Sequence, residues 1–166
     1  MAKAERLGKT NGRRAQTRDA DLPNSEASAE LKLLVQYIKD LSFESPRASK
    51  LKLLESLGQT SGLQTDVDVT VNLQGENTYE VMLILEITAK NDAGIIYHIE
   101  TTYGGLFRLS NVPQDLQDHV LFVECPKLLF PFLRRVIADI THNGGFPPLM
   151  LDFGSQYGLL GHAPRA

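Results

Sequence analysis

At 166 residues, with a formal charge of -3 and 42% hydrophobic residues, the chain has the make-up of one globular domain with polar extensions. No window is apolar for long enough to span a bilayer, and the single cysteine, Cys125, excludes an intrachain disulfide and fits a reducing compartment. Charge is unevenly placed: residues 1 to 18 hold six bases (Lys3, Arg6, Lys9, Arg13, Arg14, Arg18) against Glu5, so the rest is acidic, a balance that argues against nucleic-acid binding.

Residues 1–30 lack hydrophobic periodicity and read as a disordered basic tail; with no apolar h-region they do not form a secretory signal. An Arg-rich organellar transit peptide is a weaker reading than a solvated extension. The folded domain is expected over 31–160, with a flexible C-terminus at 161–166.

Leu31 to Glu44 fits two periods. Leu31, Leu34, Ile38 and Leu41 have helical spacing, whereas Val35, Tyr37, Leu41 and Phe43 fit one strand face with Asp40, Ser42 and Glu44 opposite. We read a helical start that passes into a strand by Tyr37 and ends at Pro46. Leu51 to Leu57 fits a short helix before Gly58.

The next three segments alternate with period two. Val67, Val69, Val71 and Leu73, then Tyr79, Val81, Leu83, Leu85 and Ile87, then Ile95, Tyr97, Ile99 and Tyr103, define dry faces. The short linkers QGEN and NDAG make the three an antiparallel meander. The wet faces gather Asp66, Asp68, Glu80, Glu86 and Glu100, with Asp40 and Glu44, against Lys90 and Arg108. That imbalance points to docking of a basic partner. Gly104-Gly105 predicts a bend or bulge in the last strand.

A short helix is expected from Val112-Pro113 to about Phe122, with Asn111 as N-cap. Leu128, Leu129, Phe132, Leu133, Val136, Ile137 and Ile140 then recur at helical spacing. Pro126 and Pro131 put the start of that helix near 126 with a bend, or nearer 130. Gly144 and Gly145 supply its left-handed stop. One such helix cannot cover four strands and bury its own second apolar side, so self-association is expected. Phe153, Tyr157, Leu159 and Leu160 allow a last short helix, weakened by three glycines.

No catalytic constellation is present: there is no GxSxG, P-loop, GxGxxG or HExxH, and the four histidines are scattered. Cys125 precedes a proline at a helix start, but a buried, unreactive thiol is expected. No cofactor, metal or enzymatic activity is predicted.

The motifs KDLSFESP, YGGLFRLSNV and ECPKLLFPFLRRVIADITHNGGFPPLML together resemble the SecB family of bacterial protein-export chaperones, over about Leu33 to Leu151. The resemblance implies an α+β fold, a four-stranded antiparallel sheet with helices packed on one face, assembling as a dimer of dimers. It implies a cytoplasmic, ATP-independent holdase that keeps preproteins unfolded and passes them to the SecA motor, without membrane insertion. The implied site for the zinc-containing C-terminal region of SecA is Asp40, Glu44, His98 and Glu100. The implied substrate groove is Phe43, Val67, Val69, Val71, Phe107, Phe146, Leu149, Leu151 and Tyr157. The implied tetramer interface is Leu129, Phe132, Leu133, Val136, Ile137 and Ile140. Two departures stand out: His98 replaces the family's leucine, and DFGSQYGLL replaces its proline-led C-terminal segment. A SecB-like chaperone of a toxin–antitoxin pair is a second reading. A small hotdog-type enzyme is a third, which requires a carboxylate facing a helix N-terminus.

Overall fold

The computed structural model describes residues 28–46 and 62–152. Residues 1–27 of the tail expected over 1–30, the helix expected over Leu51 to Leu57, and the C-terminal segment from Phe153 onward, including Tyr157, lie outside the described residues.

Four long strands, β1 (Glu30–Glu44), β2 (Gly62–Gly75), β3 (Thr78–Asn91) and β4 (Gly94–Ser110), form one antiparallel sheet in the order β1-β4-β3-β2. The two hairpins turn where expected. Asn77 (φ 52°) and Gly94 (φ 113°) take the left-handed conformations that tight turns require. The Asn91 side chain accepts the Ala93 amide at 3.0 Å, fixing the second turn locally. Odd-numbered residues of β2 and β3, and those of β4 from Tyr97 onward, share the core face, where Val81, Leu83, Leu85, Ile87 and Ile99 are fully buried.

The residues from Leu31 to Glu44 are strand throughout, so the expected helical start is wrong. Two bulges explain why periodicity was ambiguous: the register with β4 slips between Leu33 and Val35 and again between Ile38 and Asp40. Each extra residue swaps the faces. Val35 and Tyr37 therefore lie on the outer face with Asp40, Ser42 and Glu44, while Leu33, Leu41 and Phe43 face the core. A third slip, between Ala89 and Lys90, makes Ile96 the extra residue of β4. Ile96 is buried and Ile95 exposed, the reverse of their expected placing.

The glycine pair does not bulge β4, whose register with β3 is unbroken there; the two bulges lie on β1, opposite either flank of the pair. Its role is close approach. A Cβ on Gly104 would lie 3.1 Å from the Tyr37 ring on the outer face, and one on Gly105 would lie 2.7 Å from Leu129 on the inner face.

The helical part also corrects the sequence reading. Helix α1 (Gln114–His119) does not stop near Phe122; it passes through a π turn (Val120–Glu124) into α2 (Cys125–Asn143), and the residues at both joins keep right-handed helical angles. The N-cap is Pro113, whereas Asn111 sits at φ 54° and its side-chain amide reaches the Ser28 carbonyl at 3.5 Å. The π turn lies where the Pro126 ring would otherwise press on the carbonyl of Phe122, one turn back. At the C-terminus the Gly145 amide donates to His142 and the Phe146 amide to Thr141, with Gly145 at φ 86°: the expected left-handed stop, made by Gly145. Helix α2 lays Leu129, Leu133 and Ile137, all fully buried, on the sheet. Burial at that level stabilises by about 1.5–3 kcal/mol per side chain.

Candidate functional site: an anionic sheet face and a half-exposed apolar strip

Strand parity puts the wet-face acids together, and register arranges them in rows across the outer face. One row runs Asp66, Glu86, Glu100, Ser42 across β2, β3, β4 and β1. The row on one side is Gln64, Thr88, His98, Glu44; on the other it is Asp68, Ile84, Thr102, Asp40. Six carboxylates thus fall within three adjacent rows at one end of the sheet. Directly opposed like charges are unfavourable, so this patch favours a cationic neighbour. The four expected docking residues are brought together here: Glu44 is opposite His98, Asp40 opposite Thr102, and Glu100 opposite Ser42.

His98 anchors the patch. Its Nδ1 lies 2.9 Å from Thr88 Oγ1, while Nε2 lies 3.4 Å from Glu100 and 4.0 Å from Glu86. Glu86, His98 and Glu100 each turn a ligand-type atom to within 4.8 Å of the others, the group among the described residues best arranged to hold a metal ion. The two carboxylates stand open to solvent, so they are equally able to pair with a basic side chain. The sequence signal for this grouping was available: the dry faces of β3 and β4 demanded one register and the NDAG turn another. A bulge had to reconcile them, and it places Glu86 opposite Glu100.

Glu80 departs from the solvated reading. It is only 7% exposed, although it belongs to the outer face. The Tyr37 hydroxyl donates to it, Lys39 Nζ lies at 2.9 Å, and the Gln74 amide at 3.4 Å. These partners, Tyr37 first and Lys39 next, hold its carboxyl below the usual range against the opposing effect of burial, while the Tyr37 hydroxyl is pushed up to about 12. Lys39 and Tyr37 escaped the sequence reading because the β1 bulges hid their face. At the far end of the outer face Lys32 pairs with Arg108, so the face is basic near Glu30 and acidic toward Glu44.

The expected groove residues separate into two sets. Val67, Val69, Val71, Phe43 and Leu149 are half-buried against the core, while Phe107, Phe146 and Leu151 are buried within it and present no wall to a ligand in this conformation. Phe43 stacks on Tyr97 and Phe146 packs tilted against both, with centroids 4.9 to 6.2 Å apart, and the Phe43 ring lies against Gly144. Edge strand β2 lies beside the π turn and carries exposed Leu63 and Leu73; Leu116 of α1 is also half exposed. The expected interface residues divide likewise. Leu129, Leu133 and Ile137 are spent inside the protomer, because the stripe wraps more than one face of the helix. Exposed Leu128 (46%) and Phe132 (47%) continue with half-buried Val136 and Ile140 at every fourth position, forming the outward stripe of α2. Cys125 is fully buried, and burial with the Glu124 charge raises its thiol to about 12, which makes it unreactive as expected. No described helix is long and apolar enough to cross a membrane.

Known proteins match this arrangement. A family model described as preprotein translocase subunit SecB matches residues 24–157. The protein-export protein SecB of Bartonella bacilliformis is 43% identical over 120 residues, covering 72% of this chain and 74% of that protein. That of Mesorhizobium japonicum is 44% identical over 129 residues, covering 78% and 76%. Among solved structures, a SecB-like chaperone of Mycobacterium tuberculosis in complex with an antitoxin peptide superposes with a TM-score of 0.55 at 14% identity, covering 74% of this chain and 90% of that one. Its likeness is one of fold: the antiparallel sheet carrying a long helix. With the family model spanning most of the chain and relatives above 40% identity, the chain belongs to the SecB family of protein-export chaperones.

Proposed function

We propose that this protein holds precursor polypeptides unfolded and hands them to the SecA motor, using two separate surfaces of one sheet. The observation that carries the reading is their separation: the carboxylates lie in three rows of the outer face, while Val67, Val69 and Val71 line the opposite face at the β2 edge. A holdase must bind many sequences weakly and reversibly. Apolar side chains at a strand edge serve this, giving contact and backbone pairing without demanding a motif. No catalytic step, ATP or resident cofactor is required, since binding the unfolded state opposes folding by mass action.

Asp40, Glu44, His98 and Glu100 are the proposed docking residues for the zinc-containing C-terminal region of SecA, the zinc belonging to the partner. The proposed groove comprises Phe43, Val67, Val69, Val71 and Leu149. The outward stripe Leu128, Phe132, Val136 and Ile140 is the proposed contact of a tetramer, a dimer of dimers, working in the bacterial cytoplasm. Glu44→Lys and Glu100→Lys test the division of surfaces. SecA affinity is expected to fall at least tenfold while uptake of a chemically unfolded precursor stays within twofold of wild type. Equal loss of both, with the oligomer intact, would contradict it. The antitoxin-bound relative shares the fold at low identity and does not favour a toxin–antitoxin role here.

A further inference from the structure

The charge pattern of residues 3–26 complements that of the outer sheet face, and we infer that the basic segment Lys3–Arg18 of this chain docks on the Asp66–Glu86–Glu100 row as a built-in competitor for basic partners. The inference rests on the reading of that face as a docking surface. Along the chain, six bases between Lys3 and Arg18 are followed by Asp19, Asp21 and Glu26, before β1 begins at Glu30. Along the face, moving away from the point where β1 begins, Lys32 and Arg108 come first and the carboxylate rows come last. A segment that folds back along the sheet therefore brings Glu26 near the basic end and its bases over the acidic end.

The reach is sufficient. Ser42, which marks the acidic row, is twelve residues along β1 from Glu30, about 40 Å at strand rise. Arg14 precedes Glu30 by sixteen residues and spans about 55 Å when extended, so Arg14, Arg13, Lys9 and Lys3 all reach the row, with Arg18 at the limit. The three acids of the intervening segment compete for the same bases, but they are spread over eight residues of sequence. The carboxylates of the row are instead held opposite one another by the register, so one cation there faces several of them at once. Tethering supplies an effective concentration in the millimolar range, so even weak pairing is occupied at low ionic strength and competes with a partner in solution.

The test uses the full chain and a fluorescein-labelled peptide of alternating Lys and Ser carrying six positive charges. The variant Lys9→Ser/Arg13→Ser/Arg14→Ser is expected to bind this probe about threefold to tenfold more tightly than wild type at low ionic strength, because its competitor is weakened. Equal affinities would overturn the inference. Glu86→Gln/Glu100→Gln is expected to lose probe binding in both backgrounds; retained binding, or no binding by the wild type and the tail variant alike, would overturn the docking-face reading itself. Carbodiimide coupling of the wild type locates the segment independently. Lys3 or Lys9 joined to Asp66, Glu86 or Glu100 supports it, and coupling confined to Asp19, Asp21 or Glu26 contradicts it.

Discussion

Gly105 shows how a single absent side chain sets the distance between layers. A Cβ there would meet Leu129 at 2.7 Å and Phe107 at 2.9 Å, both fully buried, whereas one on Gly75 meets nothing within 4 Å. Gly105→Ala is therefore expected to cost about 1–3 kcal/mol in denaturant unfolding, and Gly75→Ala less than about 0.5 kcal/mol. Glu80 makes the matching point for polarity. Its carboxyl is held below the ordinary range by Tyr37 and Lys39, so its contribution is present above the unfolded value of about 4.3 and is lost as pH falls through the folded value. Glu80→Gln should lower stability by about 1–2 kcal/mol at neutral pH and flatten the acid-side decline of the unfolding free energy. A variant as stable as wild type, or with the same slope below pH 5, would remove this role. Neither residue's role was legible from sequence. Gly104-Gly105 reads as a bend until the facing Tyr37 and Leu129 are known, and Glu80 reads as one more solvated acid until the β1 bulges bring Tyr37 and Lys39 to its face.

At the scale of elements, regularity decided what the sequence revealed. The alternation of β2, β3 and most of β4 is uninterrupted, so strand type, dry face and hairpins were all readable. β1 carries two bulges, and its mixed period mimics a helix. The long helix was legible from its apolar stripe and glycine stop. Its continuity with α1 was not, because a π turn absorbs the strain that Pro126 would otherwise impose. Beyond the stop, Thr141 ties down the segment from Phe146 to Leu151: its hydroxyl is fully buried, donates to the Ile137 carbonyl at 2.8 Å and accepts the Leu149 amide at 2.9 Å. Thr141→Val leaves that amide without its partner. It should cost about 1–3 kcal/mol and raise hydrogen exchange at Leu149 and its neighbours while the β3–β4 amides stay protected. Unchanged exchange in that segment would show the clamp to be immaterial.

For the whole molecule, the division between buried and outward residues of α2 is the feature the apolar pattern alone left open. Leu129, Leu133 and Ile137 serve the protomer, and Phe132, at 47% exposed, belongs to the stripe that remains. Phe132→Asp is expected to dissociate the proposed tetramer into dimers in sedimentation velocity without shifting the far-ultraviolet circular dichroism; an unchanged oligomeric state would place the interface elsewhere. The carboxylate face was legible as a composition and, for Glu86 opposite Glu100, as a register, but its rows across β1 were not, since two bulges shift that strand. The measurement that reaches the central claim most directly is native mass spectrometry of the protein mixed with a chemically unfolded precursor and, separately, with the same precursor folded. The account predicts a tetramer that takes up one unfolded chain and ignores the folded one. A tetramer that takes up neither, or binds both equally, would contradict it.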